Sequence, residues 1–320
     1  MAIYTARNAL LSNLIDYAGT FPPAQLALPE ALTKACAYRR EAKFPALMAR
    51  MVVTAADLKK LSSRAWVDAG ADGSAVTLTV IGSAVSQTQE LARTIAFELR
   101  ELRNFNQKFA GAPIPQMALA YETRLPDDCP DREVGRVLKS ALDAGLQDGV
   151  LGFKIYLEVG PSADFQTRIA QAVEAIADWN ENNQASSGSA ALKIRTGGKT
   201  PPTNTQLAEV LSACVMQGVG FKATQGLHHA VTRGSEWGFV NVFAALTLAQ
   251  ALGLEAFSTS DIEACLKETD GKAFKFEADG FSWKGHRLSL EQIESARRRH
   301  GGTFGSCSLD EPDQFLIDEL

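Results

Sequence analysis

Strand-length apolar stretches alternate with helix-length amphipathic ones along almost the whole chain, and this alternation limits the fold more than any other feature. It predicts strands near 14–18, 47–53, 76–82, 115–121, 151–158, 190–196, 219–224 and 273–277. Between them, 30–41, 56–69, 86–109, 131–146, 163–180, 203–217 and 239–252 carry apolar residues at three-and-four spacing, as Ile169, Val173, Ile176 and Ala177 do. A further helix over 290–299 follows Ser289 as its N-cap. Strands separated by helices pair in parallel, so the pattern predicts an α/β fold of the (β/α)8 barrel type, the alternative being a doubly wound open parallel sheet. The 320 residues then form one domain. Segment 254–288 breaks the rhythm with a helix near 260–268 and a hairpin of Phe274 to Phe276 and Phe281 to Trp283 around Asp279-Gly280. It is expected as an irregular insertion or a displaced eighth unit. Beyond Gly301, Phe304, Cys307, Leu309, Phe315 and Leu316 make 301–320 too apolar to hang free, and a packed C-terminal tail is expected. Gln184 to Ser189 reads as a polar loop inside the domain.

With 32 Lys plus Arg against 37 Asp plus Glu, the formal net charge is −5, which gives the chain no global attraction to nucleic acid or acidic lipid. No apolar run reaches the ~18 residues of a membrane span, and Ser12, Asn13 and Asp16 interrupt the apolar residues near the start. Cys36, Cys129, Cys214, Cys265 and Cys307 form no CxxC pair, which fits a reducing cytoplasm. The expected partner is a small molecule, with no nucleic acid and no membrane; a homo-oligomer stays open. No metal or cofactor is called for.

Three consecutive predicted strands each place a lysine after a large apolar residue: Phe153-Lys154-Ile155-Tyr156-Leu157-Glu158, Leu192-Lys193-Ile194-Arg195, and Phe221-Lys222-Ala223-Thr224. Side chains alternate across a strand, so the apolar set packs on the helices while Lys154, Tyr156, Glu158, Lys193, Arg195, Lys222 and Thr224 point inward. An interior charge costs several kcal/mol unless paired. Asp16 on the first strand, Glu122 at the end of the fourth and Glu158 are candidate partners, and Arg50 is a further inward cation. Crowded by Arg195 and Lys222, Lys193 is expected to be the most acidic of the three amines, and a neutral amine attacks a carbonyl to form an imine.

Lys193 followed by Thr196-Gly197, then Lys222-Ala223-Thr224 with Gly226, resembles the sixth and seventh strands of class I (Schiff-base) aldolases of the deoxyribose-phosphate aldolase kind. Lys154-Ile-Tyr-Leu-Glu158 is similar to that family's preceding strand. The resemblance covers about residues 150–228 and implies a lyase acting on a small carbonyl, phosphorylated or not, with Lys193 as the imine lysine and Lys222 as the lysine that tunes it. It departs from the family where Arg195 replaces a small residue, where Gly226-Leu227-His228-His229 stands in place of glycine-rich phosphate contacts, and on the fourth strand, where the acidic residue has no clear counterpart in Met117 to Glu122. The same stretches also look like a bacterial protein family of unassigned function. The alternatives to imine chemistry are a barrel isomerase or transferase that holds an anion without a covalent intermediate, and a non-catalytic small-molecule binding protein.

Around this core, Arg195, Thr196, Gly197 and Gly198 form a turn whose amides and cation suit phosphate or carboxylate. Gly198-Lys199-Thr200 is no P-loop, because position 193 is lysine and Pro201-Pro202 block the helix that would follow. His228 is expected as a general acid or base at the mouth, with His229, Thr224, Arg50 and Asp16 lining the pocket; adjacent histidines point apart, which disfavours a shared metal. Trp237 roofs the site or packs. Arg297-Arg298-Arg299-His300 reads as a solvated helix end with Gly301 as its cap.

Overall fold

A computed structural model describes residues 5–146, 152–162, 164–184 and 188–320. Eleven strands are found among them: β1 (Ile15–Tyr17), β2 (Met48–Thr54), β3 (Val76–Ile81), β4 (Gln116–Arg124), β5 (Lys154–Glu158), β6 (Ser189–Arg195), β7 (Gly220–Thr224), β8 (Phe274–Phe276), β9 (Gly280–Trp283), β10 (His286–Ser289) and β11 (Thr303–Ser306). Eight of them close a barrel in the order β1-β11-β7-β6-β5-β4-β3-β2, every neighbouring pair parallel. The fold is therefore a (β/α)8 barrel, and the open-sheet alternative falls. Part of the predicted 151–158 strand (residue 151) and of the predicted polar loop (185–187) lies outside the described residues.

The outward faces explain the packing. Ile155, Leu157, Leu192, Ile194, Phe221 and Ala223 are buried against the surrounding helices, as strand alternation requires. Helices start where side chains satisfy their first amides: Thr203 caps Asn204–Met216 in a box with Gln206 directly after the proline pair, and Ser289 caps Leu290–His300 with Gln292.

The eighth strand corrects the sequence reading. Segment 274–276 is no barrel strand: β8 pairs antiparallel with β9, and β9 with β10, in a separate three-stranded sheet. The hairpin expected there is present. The barrel is closed instead by β11, inside the segment read as a packed tail: Phe304 points out and stacks on Phe239 and Phe243, while Thr303 stands beside Lys222 and Asp16 on the inner side. Helix Phe239–Leu252 is buried continuously from Phe239 to Ala249, because the barrel covers one side and helices Thr259–Leu266 and Leu290–His300 pack on the other. The end of the latter helix is not solvated throughout. His300 is buried, with Nδ1 accepting from the Gly302 amide, and Arg297 donates to the Gly302 and Ser12 carbonyls. Gly301 does cap it, with φ of 51°. Among the described residues, no helix is long and apolar enough to cross a membrane.

Candidate active site

Register sets the lumen. Glu158 pairs with Lys193, Lys193 with Lys222 and Lys222 with Thr303 on successive strands, so these side chains share one level of the barrel interior. Lys193 Nζ lies 2.6 Å from Glu122 Oε2 and 2.8 Å from Glu158 Oε2. Lys222 Nζ bonds Asp16 Oδ2, and stands 2.9 Å from Glu122 Oε1. That last approach lacks hydrogen-bond alignment, so Glu122 Oε1 is buried without a donor among the described residues. Asp16 also takes both Arg50 Nε, at 2.9 Å, and Arg50 Nη2, at 3.0 Å, in a fork, plus the Thr79 hydroxyl at 3.1 Å. Thr303 Oγ1 completes this end, 3.3 Å from both Arg50 Nη2 and Lys222 Nζ. Glu122 thus joins two halves of one network, Lys193 with Glu158 and Lys222 with Asp16.

Burial alone would push each carboxyl up, but adjacent cations win. Asp16 is held at about 2 by Arg50 and Lys222, Glu122 is held low by Lys193 and Lys222, and Glu158 by Lys193 and Arg195. Lys193 corrects its expectation. Burial would lower its pKa, yet Glu122 and Glu158 outweigh burial and hold it above the usual lysine value. Its partners, drawn from two other strands, matter more than Arg195 two residues away. Among the described residues, the lumen cations Arg50, Lys154, Lys193 and Lys222 outnumber the carboxylates Asp16, Glu122 and Glu158, even before Arg195 and Arg124 at Glu158 are added. Tyr156 sits in that surplus: Lys222 Nζ, Lys154 Nζ and Arg50 Cζ lie 5.1, 5.7 and 6.0 Å from its ring centre. Burial raises its phenol, and the three cations more than offset this, bringing it below 10.

The other predicted residues divide. Lys154 is inward but stands at the far end of the lumen, beside Gly220 and Gly301, away from the Lys193–Lys222 level. Arg195 gives Nε to Glu158 at 2.7 Å and is half exposed at the mouth. Thr196 is not a free anion donor, since its hydroxyl is spent on the Gln225 carbonyl at 2.5 Å. Gly197 is needed for backbone approach, because a Cβ there would stand 2.8 Å from Gly226 Cα. Thr224, in register with Arg195 and Gly305, lies at the mouth level. The histidines are not part of the lysine cluster. His228 pairs with Glu311 at 3.2 Å, and His229 meets Glu319 at 2.9 Å and stacks on Phe315, so both bind the C-terminal helix Asp310–Asp318 and the residue after it. Trp237 is buried and donates to Asn204, so it packs.

From the sequence alone Glu122 reads only as an ion partner, and Thr79, Thr303 and Arg124 do not stand out. Glu122 was findable, as the inward acid of a predicted strand; the two threonines carry no signal without the barrel's closure. Arg124, at the end of β4, stands 3.9 Å from Glu158 and 2.7 Å from Asp127. With Arg195 and the Gly197–Gly198 turn it lines a 710 Å³ cleft beside the barrel mouth. The mouth, at the strands' C-terminal ends, is where barrels of this kind place their chemistry. Comparison with models of known protein families finds no match, and comparison with curated proteins finds none either.

Proposed function

We propose that this chain is a lyase acting on a small carbonyl substrate through an imine on Lys193. One observation carries the reading: on the fourth strand, where the aldolase resemblance leaves an acid unassigned, Glu122 lies against both lysines at once. Lys193 rests as an ammonium, so the first step is transfer of its proton to a carboxylate, for which Glu122 and Glu158 are both in place. The free amine adds to the carbonyl, and loss of water leaves a protonated imine whose positive charge lies where the ammonium charge lay. The carboxylates that favour the ammonium favour that cation too. As a base takes the proton of the substrate's β-hydroxyl, the carbon–carbon bond breaks, its electron pair drains into the imine to give an enamine, and the hydroxyl carbon leaves as a free carbonyl product. The enamine carbon then takes up a proton, and water hydrolyses the resulting imine to release the second product and the Lys193 amine. Glu122, against both lysines, is the group to relay protons between them.

Borohydride with a panel of aldehydes and ketones tests this. An adduct mass on Lys193, abolished by Lys193→Met and slowed by Lys222→Met, is the expected result, and trapping rises as pH rises because the resting amine is protonated. A second reading, an isomerase or transferase that holds an anion without a covalent bond, is favoured by one feature, the two carboxylates that keep Lys193 charged. No adduct at any pH, together with turnover of an anionic substrate, selects it.

A further inference from the structure

The lining of the 710 Å³ cleft includes Arg124, Arg195 and Lys199, and no acidic residue is among the described residues that line it. The rest of the lining mixes apolar Val159, Phe165, Ile194 and three prolines, Pro161, Pro201 and Pro202, whose rings keep the backbone stiff, with polar Ser162, Thr200, Gln206 and Gln225. Cations and apolar side chains in one lining suit a ligand with two ends of different chemistry, and the volume falls in the range of small-molecule sites. The Gly198 backbone, at φ of 93°, adds a conformation that side-chain-bearing residues rarely adopt.

We propose that this cleft seats a small organic oxyanion, a carboxylate or phosphate monoester, whose charge is gripped by Arg124, Arg195 and Lys199 and whose apolar body lies against Phe165 and the prolines. Arginine forks match such anions with paired hydrogen bonds, and a lysine adds a compact charge. The place of the anion in catalysis rests on the lyase reading, although its binding does not. Glu158 supplies the link: one oxygen accepts from Arg195, while the other holds Lys193. An anion that draws Arg195 and Arg124 toward the cleft removes positive charge from Glu158. Glu158 then becomes a better acceptor for the Lys193 proton, so an anionic substrate readies the amine that attacks it.

Calorimetric titration of the full chain with phenyl phosphate, 3-phenylpropionate, inorganic phosphate and benzyl alcohol tests the site. At least one of the two phenyl anions should bind at least about tenfold more tightly than inorganic phosphate, the neutral alcohol not at all, and the preferred anion names the headgroup. Arg124→Gln and Lys199→Gln, both at exposed positions, should each weaken that binding at least about fivefold. Equal binding of phenyl phosphate and inorganic phosphate, with 3-phenylpropionate no tighter, overturns the apolar seat. Binding insensitive to both substitutions, or no binding of any anion, overturns the site. A carbonyl adduct that never forms while the phenyl anion still binds removes the lyase reading and keeps the cleft. In the reverse case, an adduct forms normally and no anion binds, and only the cleft proposal is lost.

Discussion

Replacing Asp16 by Asn tests the electrostatics of the lumen most directly, because that carboxylate is fully buried and carries Arg50, Lys222 and the Thr79 hydroxyl at once. Its carboxyl is held at about 2 against an ordinary 3.8. At roughly 1.4 kcal/mol per pH unit the gap corresponds to about 2 kcal/mol of stability at neutral pH. Asparagine keeps the shape but loses the charge, and it turns an amide donor toward groups that are themselves donors. Removing one partner of a buried ion pair costs roughly 3–5 kcal/mol, so Asp16→Asn should lose about 3–4 kcal/mol at pH 7. The sign of the pH dependence follows from the lowered pKa. The contribution is complete above the ordinary carboxyl value and fades as pH falls through the folded one. About half of it is gone by pH 3. Urea unfolding followed by circular dichroism from pH 7 down to pH 3 reads both quantities, and the gap between wild type and variant should narrow by about 1 kcal/mol over that interval. A loss below about 1 kcal/mol at pH 7, or a gap that does not move with pH, would refute the assignment of Asp16 as the anchor of buried Lys222 and half-buried Arg50.

Glu122→Gln removes one of the two carboxylates that hold Lys193 protonated, so the pH profile of borohydride trapping should move toward lower pH, with about 3 kcal/mol lost from stability; an unmoved profile contradicts the shared-carboxylate geometry. In an alkaline absorbance titration of the five tyrosines, one phenol should ionise below the usual value in wild type and be missing from Tyr156→Phe, which preserves the ring between its three cations. Gly220→Ala would place a Cβ 2.9 Å from Lys154 Nζ, 3.0 Å from the His300 carbonyl and 3.1 Å from Ala191 Cβ. The carbonyl cannot yield as a side chain can, so thermal denaturation should show about 1–3 kcal/mol of destabilisation.

Seven barrel strands were legible because their signal is local: a buried strand announces itself in a few consecutive apolar residues. The period of two along β5, β6 and β7 likewise put Lys193 and Lys222 inside before any contact was known. The eighth strand was not legible for the converse reason. Thr303-Phe304-Gly305-Ser306 holds a single large apolar residue, and it is a strand because β1 and β7 present unpaired edges on either side of it. Phe274-Lys275-Phe276 has the better local pattern, and that pattern is satisfied in the small antiparallel sheet. Charge state failed for a related reason. Glu122 and Glu158 are visible as candidate partners, but that both converge on Lys193, and so outweigh Arg195 and Lys222, depends on the distances set by the register of β4, β5 and β6.

A barrel of this kind ordinarily fills its interior with branched apolar side chains. Here the level containing Lys193 and Lys222 is ionic, with Asp16, Glu122, Lys193 and Lys222 all nearly inaccessible. Stability does not explain that choice, since replacing a buried ion network by apolar residues of similar volume is often neutral or favourable by about 1–4 kcal/mol. The network is nevertheless almost fully hydrogen-bonded, and its one orphaned oxygen, Glu122 Oε1, faces Lys222 across 2.9 Å. Glu122 Oε2 meets Lys193, while Oε1, on the Lys222 side, takes no hydrogen bond among the described residues and so offers an open acceptor. In a packed apolar lumen nothing could move. In this one Glu122 stands 2.6 Å from one amine and 2.9 Å from the other, and the cost of burying these charges is what the imine chemistry proposed for Lys193 would explain.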